Sequence, residues 1–218
     1  KTLAELAQDT QTAAATGGKI HPLQLSLDVQ AEMGDKDWLV FDGGNTHFWS
    51  EIAVNLAGWQ GRKLAGILHP GTFSMLGVGV SMAVAAKNTH PDATVVLISG
   101  DGAFLSGGLS IEAAFQENLP IVVVIDNNGG LDCISQQQER LFANGRHFAT
   151  DFRDIPFHTL FQGMGGHGEL VERREQLGPA IRRAIASGKT ACVNVKAKGV
   201  ISPIVLATTS KRDKASIE

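Results

Sequence analysis

The chain has 218 residues, 43% of them hydrophobic and 19% charged, with a formal net charge of −3. That is ample apolar material for one large core and marginal for two, and the mild negative charge excludes a general attraction to nucleic acid or to an anionic membrane. Cys133 and Cys192 fit no disulfide framework or metal spacing, no signal peptide is visible, and no apolar run approaches the roughly 20 residues of a membrane span, so the expectation is a cytoplasmic protein with reduced thiols and no membrane contact.

Residues 1–19 open with an Ala-rich, helix-compatible stretch that Thr16-Gly17-Gly18 breaks. They read as a linker or the tail of a preceding domain. His21-Pro22 then opens a helix over Leu23 to Met33, with apolar residues at helical spacing. Trp38 to Phe41 is a short apolar strand that runs into Asp42-Gly43-Gly44, and Ala65 to Leu68 is a weaker strand. Ser74 to Ala86 is small and apolar, as in a helix packed closely on a neighbour. Thr94 to Ser99 reads as a strand, Leu109 to Glu117 as a helix, and Ile121 to Ile125 as a central strand buried on both faces. Asp132 to Arg153 is polar with weak periodicity and reads as a mobile, functional loop. Val171 to Ser187 reads as a helix and Ala191 to Val195 as the last strand. Alternation of strands and helices predicts an α/β fold, a three-layer sandwich around a central, mainly parallel sheet, over residues 20–198. Residues 199–218 form a C-terminal tail, a possible lid.

In such a sheet, ligands bind beyond the carboxyl ends of the strands. Asp101, in Gly100-Asp101-Gly102, follows one strand, and Asn127-Asn128 follows the next, so both tips emerge at the same edge. A carboxylate and an amide oxygen are hard ligands that suit Mg²⁺, which needs few protein ligands when phosphate oxygens complete its shell. Gly100 and Gly102 let backbone approach a ligand closely, and amides opening the next helix would face a diphosphate. Gly129 and Gly130 permit a tight turn that frees a carbonyl as a further ligand. The plain alternative is a turn Asp and a turn Asn pair. A dinucleotide-binding fold is disfavoured: no Gly-x-Gly-x-x-Gly follows the first strand, and Asp101 would repel a pyrophosphate that arrived without a metal.

Gly-Asp-Gly joined to Asn-Asn at this distance, with Leu119-Pro120 before the second strand, resembles thiamine diphosphate enzymes. The match is to the diphosphate-binding domain of the pyruvate oxidase/acetolactate synthase group and covers roughly Leu23 to Ala197. The resemblance implies thiamine diphosphate and Mg²⁺ as cofactors, with Asp101, Asn128 and the Gly130 carbonyl on the metal. It places Gly100, Gly102, Ala103 and Leu131 near the diphosphate, where Gly44, Asn45 and Thr46 also meet it, the latter two as side-chain donors. Gly71 to Gly79 matches the segment that cradles the aminopyrimidine: the Ser74 carbonyl would accept from the 4′-amino group, Met75 lies beside it, and Leu76 would wedge the cofactor into its bent, reactive shape.

Gly-Gly-Asn-Thr, Gly-Thr-Phe and Asn-Asn-Gly-Gly resemble the oxalyl-CoA decarboxylase and 2-hydroxyacyl-CoA lyase branch, whereas the segment after Thr46, with its Trp, is closer to acetolactate synthase. The implied function is half the active site of a carbon–carbon lyase or decarboxylase acting on a small molecule, a 2-hydroxyacyl-CoA or oxalyl-CoA. The alternatives are an acetolactate synthase-like carboligase or 2-oxoacid decarboxylase, and a non-catalytic cofactor-binding homologue. The family's activating glutamate lies on a pyrimidine-binding domain, which the same polypeptide or another chain would bring. A homodimer or homotetramer follows from that. Gln136 and Glu139 are candidates for orienting substrate beside Leu76. His47 and His69 could each face the site, with a surface or core role the plainer reading; Lys211, Arg212 and Lys214 in the tail could meet CoA phosphates, with a frayed basic terminus the plainer reading.

Overall fold

The computed structural model describes residues 18–142 and 145–212. The reading of residues 1–15 as helix-compatible lies outside them, as does Lys214. Six strands form one sheet: β1 (Trp38–Asp42), β2 (Gly66–Leu68), β3 (Val95–Gly100), β4 (Ile121–Asn127), β5 (His167–Val171) and β6 (Ala191–Lys196). Their order is β2-β1-β3-β4-β6-β5 and every pairing is parallel. Every residue of β3 and β4 is buried, which is why both read as unbroken apolar runs rather than alternating ones.

Strand periodicity divides the core in two. Leu39, Phe41, Val96, Ile98, Val122, Val124, Val193 and Val195 face α1 (Pro22–Ala31) and α8 (Leu177–Ala186). Val40, Val95, Leu97, Ile121, Val123 and Ile125 face the opposite side, where they meet Val80 and Ala83 of α3 (Gly79–Thr89), Phe104 of α4 (Asp101–Gly107), and Phe157 and Phe161 of α7 (Phe157–Gly163). This is the expected three-layer α/β sandwich. Ile20 bridges to Ala197, so the two ends of the expected domain meet beside the sheet.

Several expectations need correction. Asn45–Trp59, for which the sequence suggested no element, is a 15-residue helix, α2. The expected loop from Asp132 begins with a ten-residue helix, α6 (Asp132–Leu141). The expected helix from Val171 is strand β5 up to that residue, and helix only from Leu177. The expected helix over Ser74 to Ala86 starts at Gly79, after a 3₁₀ turn at Gly71–Phe73 that ends in left-handed Ser74 (φ 53°). The helix expected at Leu109 is a 3₁₀ turn, Gly108–Ile111, followed by the short α5 (Glu112–Gln116). The tail carries helix α9 (Pro203–Arg212), in which Val205 is buried; side chains from residue 208 on, Lys211 and Arg212 included, lie outside the description.

One backbone contact holds the Ser74–Leu76 loop against α4. Gly77 has φ 92°, and a Cβ there would sit 2.8 Å from the Gly107 amide nitrogen; a Cβ on Gly107 would run into the Gly77 carbonyl. Neither obstacle is a side chain that can swing away. Gly107→Ala is therefore expected to destabilise the fold by about 1–3 kcal/mol, measured by urea unfolding. Gly163→Ala, where a Cβ meets nothing within 4 Å, serves as the control and should change stability by no more than about 0.5 kcal/mol.

Candidate functional site

The carboxyl ends of β1, β3 and β4 open on a cleft of about 230 Å³. Three walls meet there. The first is the turn from β1 into α2: Gly43, Gly44, Asn45 and Thr46. The second is Gly100, Asp101, Gly102 and Ala103, where β3 becomes α4. The third is Asn128, Gly130 and Leu131, where β4 ends. Ser74 and Leu76 close one side. Of the cofactor contacts read from the sequence, Met75 alone is not on this lining; its side chain is exposed.

Asp101 organises the cleft. It is 2% exposed, and it accepts from three backbone amides. Oδ2 accepts from Gly129 (2.8 Å) and Gly130 (3.1 Å), and Oδ1 from Gly102 (2.7 Å). The amide of Gly130 also reaches Asn128 Oδ1 at 3.2 Å, which brings the carboxylate and the amide oxygen to the same turn. Burial pushes the Asp101 carboxyl up to about 6, against the pull of the three amides. Asp126, one strand position before Asn127, lies beneath it, 1% exposed. Its Oδ2 accepts the Thr46 hydroxyl at 2.7 Å while Oδ1 is buried without a partner. Burial, with Asp101 and Asp132 adding negative charge, pushes Asp126 up to about 7. Asp132, on the cleft lining, is also raised, by burial first and then by Asp151 and Glu139.

This donor set fits a divalent cation. Hard oxygens converge on one turn, and the buried carboxylates around it are raised, so that positive charge beside them is favoured. The diphosphate expectation has its own fit. The α2 helix begins at the cleft with Gly44 as N-cap, no side chain caps it, and its first turn carries no acid. Its opening amides and dipole therefore suit an anion.

The side chains of Asn45 and Thr46 behave differently from expectation. Thr46 Oγ1 donates inward to Asp126. Asn45 Oδ1 accepts from the Ser202 amide (3.1 Å), and its Nδ2 donates to Gln136 Oε1 (3.4 Å). That leaves the backbone amides and the second hydrogen of Asn45 Nδ2 to face an anion. Gln136 thus stands one contact behind the cleft, while Glu139 is off the lining and pairs with His147 at 3.2 Å. His47 is buried behind α2 and packs on Phe41 and His69, and neither histidine is on the lining.

Leu76 is partly exposed at the cleft wall, beside Ser74 in its left-handed conformation (φ 53°, ψ 32°). Such backbone costs a serine on the order of 1 kcal/mol and aims its carbonyl where a relaxed loop would not. The first turn of α6, inside the stretch expected to be functional, supplies Asp132, Cys133 and Ile134, none of them singled out from the sequence. Asp126 was missed altogether, although an acid in an otherwise apolar strand was a readable signal.

The chain matches the family model "Thiamine pyrophosphate enzyme, C-terminal TPP binding domain" over residues 42–195. It is 32% identical over 87% of its length to a protein of Mycobacterium bovis named "Probable acetolactate synthase", covering 34% of that protein. It is 30% identical over 72% of its length to human 2-hydroxyacyl-CoA lyase 2, covering 24% of it. Its fold superposes on the thiamine diphosphate-dependent 4-hydroxybenzoylformate decarboxylase of Rhodococcus jostii RHA1 with a TM-score of 0.72 and 26% identity, over 86% of this chain and 34% of that one. The chain thus spans about a third or less of the length of these relatives. It belongs to the thiamine pyrophosphate enzyme family and carries that family's C-terminal cofactor-binding domain.

The buried acids make a prediction about pH. The Asp126 carboxyl titrates near 4 in an unfolded chain and at about 7 in the folded one. The folded state therefore binds its proton more tightly: the contribution to stability is fully present below about pH 4 and lost as pH rises through 7. Asp126→Asn keeps an acceptor for Thr46 and cannot ionise. In thermal unfolding without metal or cofactor it should be more stable than the parent at pH 8, with the difference shrinking toward pH 5. An equal difference at both pH values would contradict a raised Asp126.

Proposed function

We propose that this member of the thiamine pyrophosphate enzyme family binds thiamine diphosphate through Mg²⁺ and contributes half the active site of a carbon–carbon lyase or decarboxylase, acting on a 2-hydroxyacyl-CoA or on oxalyl-CoA. The observation that carries the reading is the single cleft joining Asp101, Asn128 and Gly130 to the uncapped start of α2 and to the Ser74–Leu76 wall. Bound there, the cofactor would supply a carbanion-stabilising centre for breaking or forming a bond next to a carbonyl.

The chain's own residues have definable tasks. Asp101, Asn128 and the Gly130 carbonyl would hold the cation, and the charge crowded around Asp101 favours its binding. The amides opening α2 would take phosphate oxygens. The Ser74 carbonyl, fixed by its strained backbone, would accept a hydrogen bond from the ring, and Leu76 would set the angle between the rings. Gln136 would orient substrate indirectly, through Asn45, and the position of Glu139 off the lining makes it the weaker candidate. Exposed Phe73, Met75 and Leu76 at the mouth support completion of the site by a pyrimidine-binding domain of the same polypeptide or of another chain, within a homodimer or homotetramer.

A second reading, acetolactate-type carboligation, is favoured by the Mycobacterium bovis relative, which matches more of the chain than human 2-hydroxyacyl-CoA lyase 2 does. The full polypeptide, given Mg²⁺ and thiamine diphosphate, should be offered oxalyl-CoA, a 2-hydroxyacyl-CoA and pyruvate in turn, with products read by mass spectrometry. Formyl-CoA is the expected product; acetolactate from pyruvate, with both thioesters untouched, replaces the first reading by the second. Asp101→Ala should weaken Mg²⁺-dependent cofactor binding at least tenfold in calorimetry, and unchanged affinity would remove the metal assignment.

A further inference from the structure

Behind the cleft, on the far side of the α2 first turn, lies a second group of potential ligands. His47 and Glu51 are four residues apart on α2 and so share a face. His69 follows β2, the edge strand beside β1. One nitrogen from each ring and one Glu51 oxygen all lie within 4.8 Å of one another. We propose that His47, Glu51 and His69 form a site for a divalent transition metal of the zinc type, separate from the cation site at Asp101 and with its remaining coordination positions open to water.

Three observations carry this. First, His47 is 3% exposed and its Nδ1 is buried with no hydrogen-bond partner. A buried nitrogen without a partner is costly, and the rarity of such atoms in folded proteins asks for an occupant. Burial also holds the His47 pKa below its usual value, so the ring is neutral and keeps a lone pair to give. Second, the set has the right chemistry: two imidazoles and one carboxylate are the protein ligands of open zinc sites, in which water completes the shell. Third, the rings are held in place. Phe41 stacks on His69 with planes 5° apart and centroids 5.2 Å apart, and meets His47 edge-on at 5.2 Å. The two imidazoles meet each other at 89°.

Ligation has a definable cost. Donor atoms up to 4.8 Å apart must close to about 3.3 Å, the edge of a tetrahedron with metal–ligand bonds of about 2 Å. Glu51, more exposed than His47 and on a flexible side chain, is the ligand free to make most of that movement. His69 Nδ1 also accepts the Gly71 amide at 3.2 Å. A metal on Nδ1 would displace this long bond. A metal on Nε2 would leave Nδ1 protonated and turn the same contact away.

His47 directly follows Thr46, so a cation here would brace the start of the helix that opens the cleft and tie it to the end of the edge strand. The test is calorimetric titration of the chelator-treated full polypeptide with Zn²⁺, and with Co²⁺ read by visible absorption. Expected are about one Zn²⁺ per chain at this site with micromolar or tighter affinity, a tetrahedral Co²⁺ spectrum and a raised melting temperature. Glu51→Gln and His69→Gln should each weaken Zn²⁺ at least tenfold, and Glu51→Gln, which removes no ring contact, should leave the metal-free melting temperature unchanged. Asp101→Asn should leave this binding intact. Zn²⁺ binding lost in Asp101→Asn but kept in the other two variants would overturn the proposal without touching the cleft assignment, and so would no saturable binding below about 100 μM.

Discussion

Two buried carboxylates, each spent on backbone amides, hold the site together. Asp101 gathers Gly102, Gly129 and Gly130; Asp42, at the end of β1, takes the amides of Gly77 and Gly79 on one oxygen, both at 2.8 Å. Each ties a glycine-rich loop from elsewhere in the chain to the end of a central strand. Side-chain contacts could not do this as tightly, because the loops must bring their backbone close to a ligand and so carry no side chains there. Gly79 makes the point: a Cβ would fall 2.6 Å from the Asp42 Cβ. Charge-assisted bonds from amides are the strong local interaction available to such a loop.

The same arrangement sets the electrostatics. Carboxylates buried among amides and apolar strands are charged only at a cost: burial raises Asp101, Asp126 and Asp132, with Asp132 adding to Asp101, and Asp101 and Asp132 adding to Asp126. Structure and ligand chemistry therefore coincide. Asp101, which pins one loop, is also among the groups that leave the cleft short of positive charge, and a cation with an anionic partner would relieve that. A site built this way is preorganised by its backbone.

How far this was legible in the sequence follows from the physics of each element. The central strands were readable because double burial leaves no room for polar residues, and Gly100-Asp101-Gly102 with Asn127-Asn128 was readable because the parallel sheet forces both tips to one edge. The α2 helix was not read. Its N-cap is Gly44 rather than Ser or Asp, and its apolar residues, Trp49 and Ile52 among them, pack in a separate cluster with Leu23 instead of forming a stripe on the sheet. The α6 helix looked like a loop because it is polar on most faces and buries only Ser135. Edge strand β5 merged with the helix after it because its first four residues are only partly buried. Side-chain direction was beyond the sequence altogether: nothing in Asn45-Thr46 says that one hydroxyl turns inward to Asp126.

That inward turn changes what the first turn of α2 is for. Asn45 spends its amide on both neighbours, taking the Ser202 amide hydrogen and giving one to Gln136. Trp49, one turn on, donates from its indole to the Val200 carbonyl at 2.9 Å. The start of α2 is thus anchored to the tail on one side, to α6 on another and to β4 through Thr46, while its free amides face the cleft. A tail seated this way braces the wall from behind. Any movement of residues 199–207 would pull on Asn45 and hence on the helix start that lines the cleft, so the tail can influence the cleft by anchoring it, whether or not it ever closes over it.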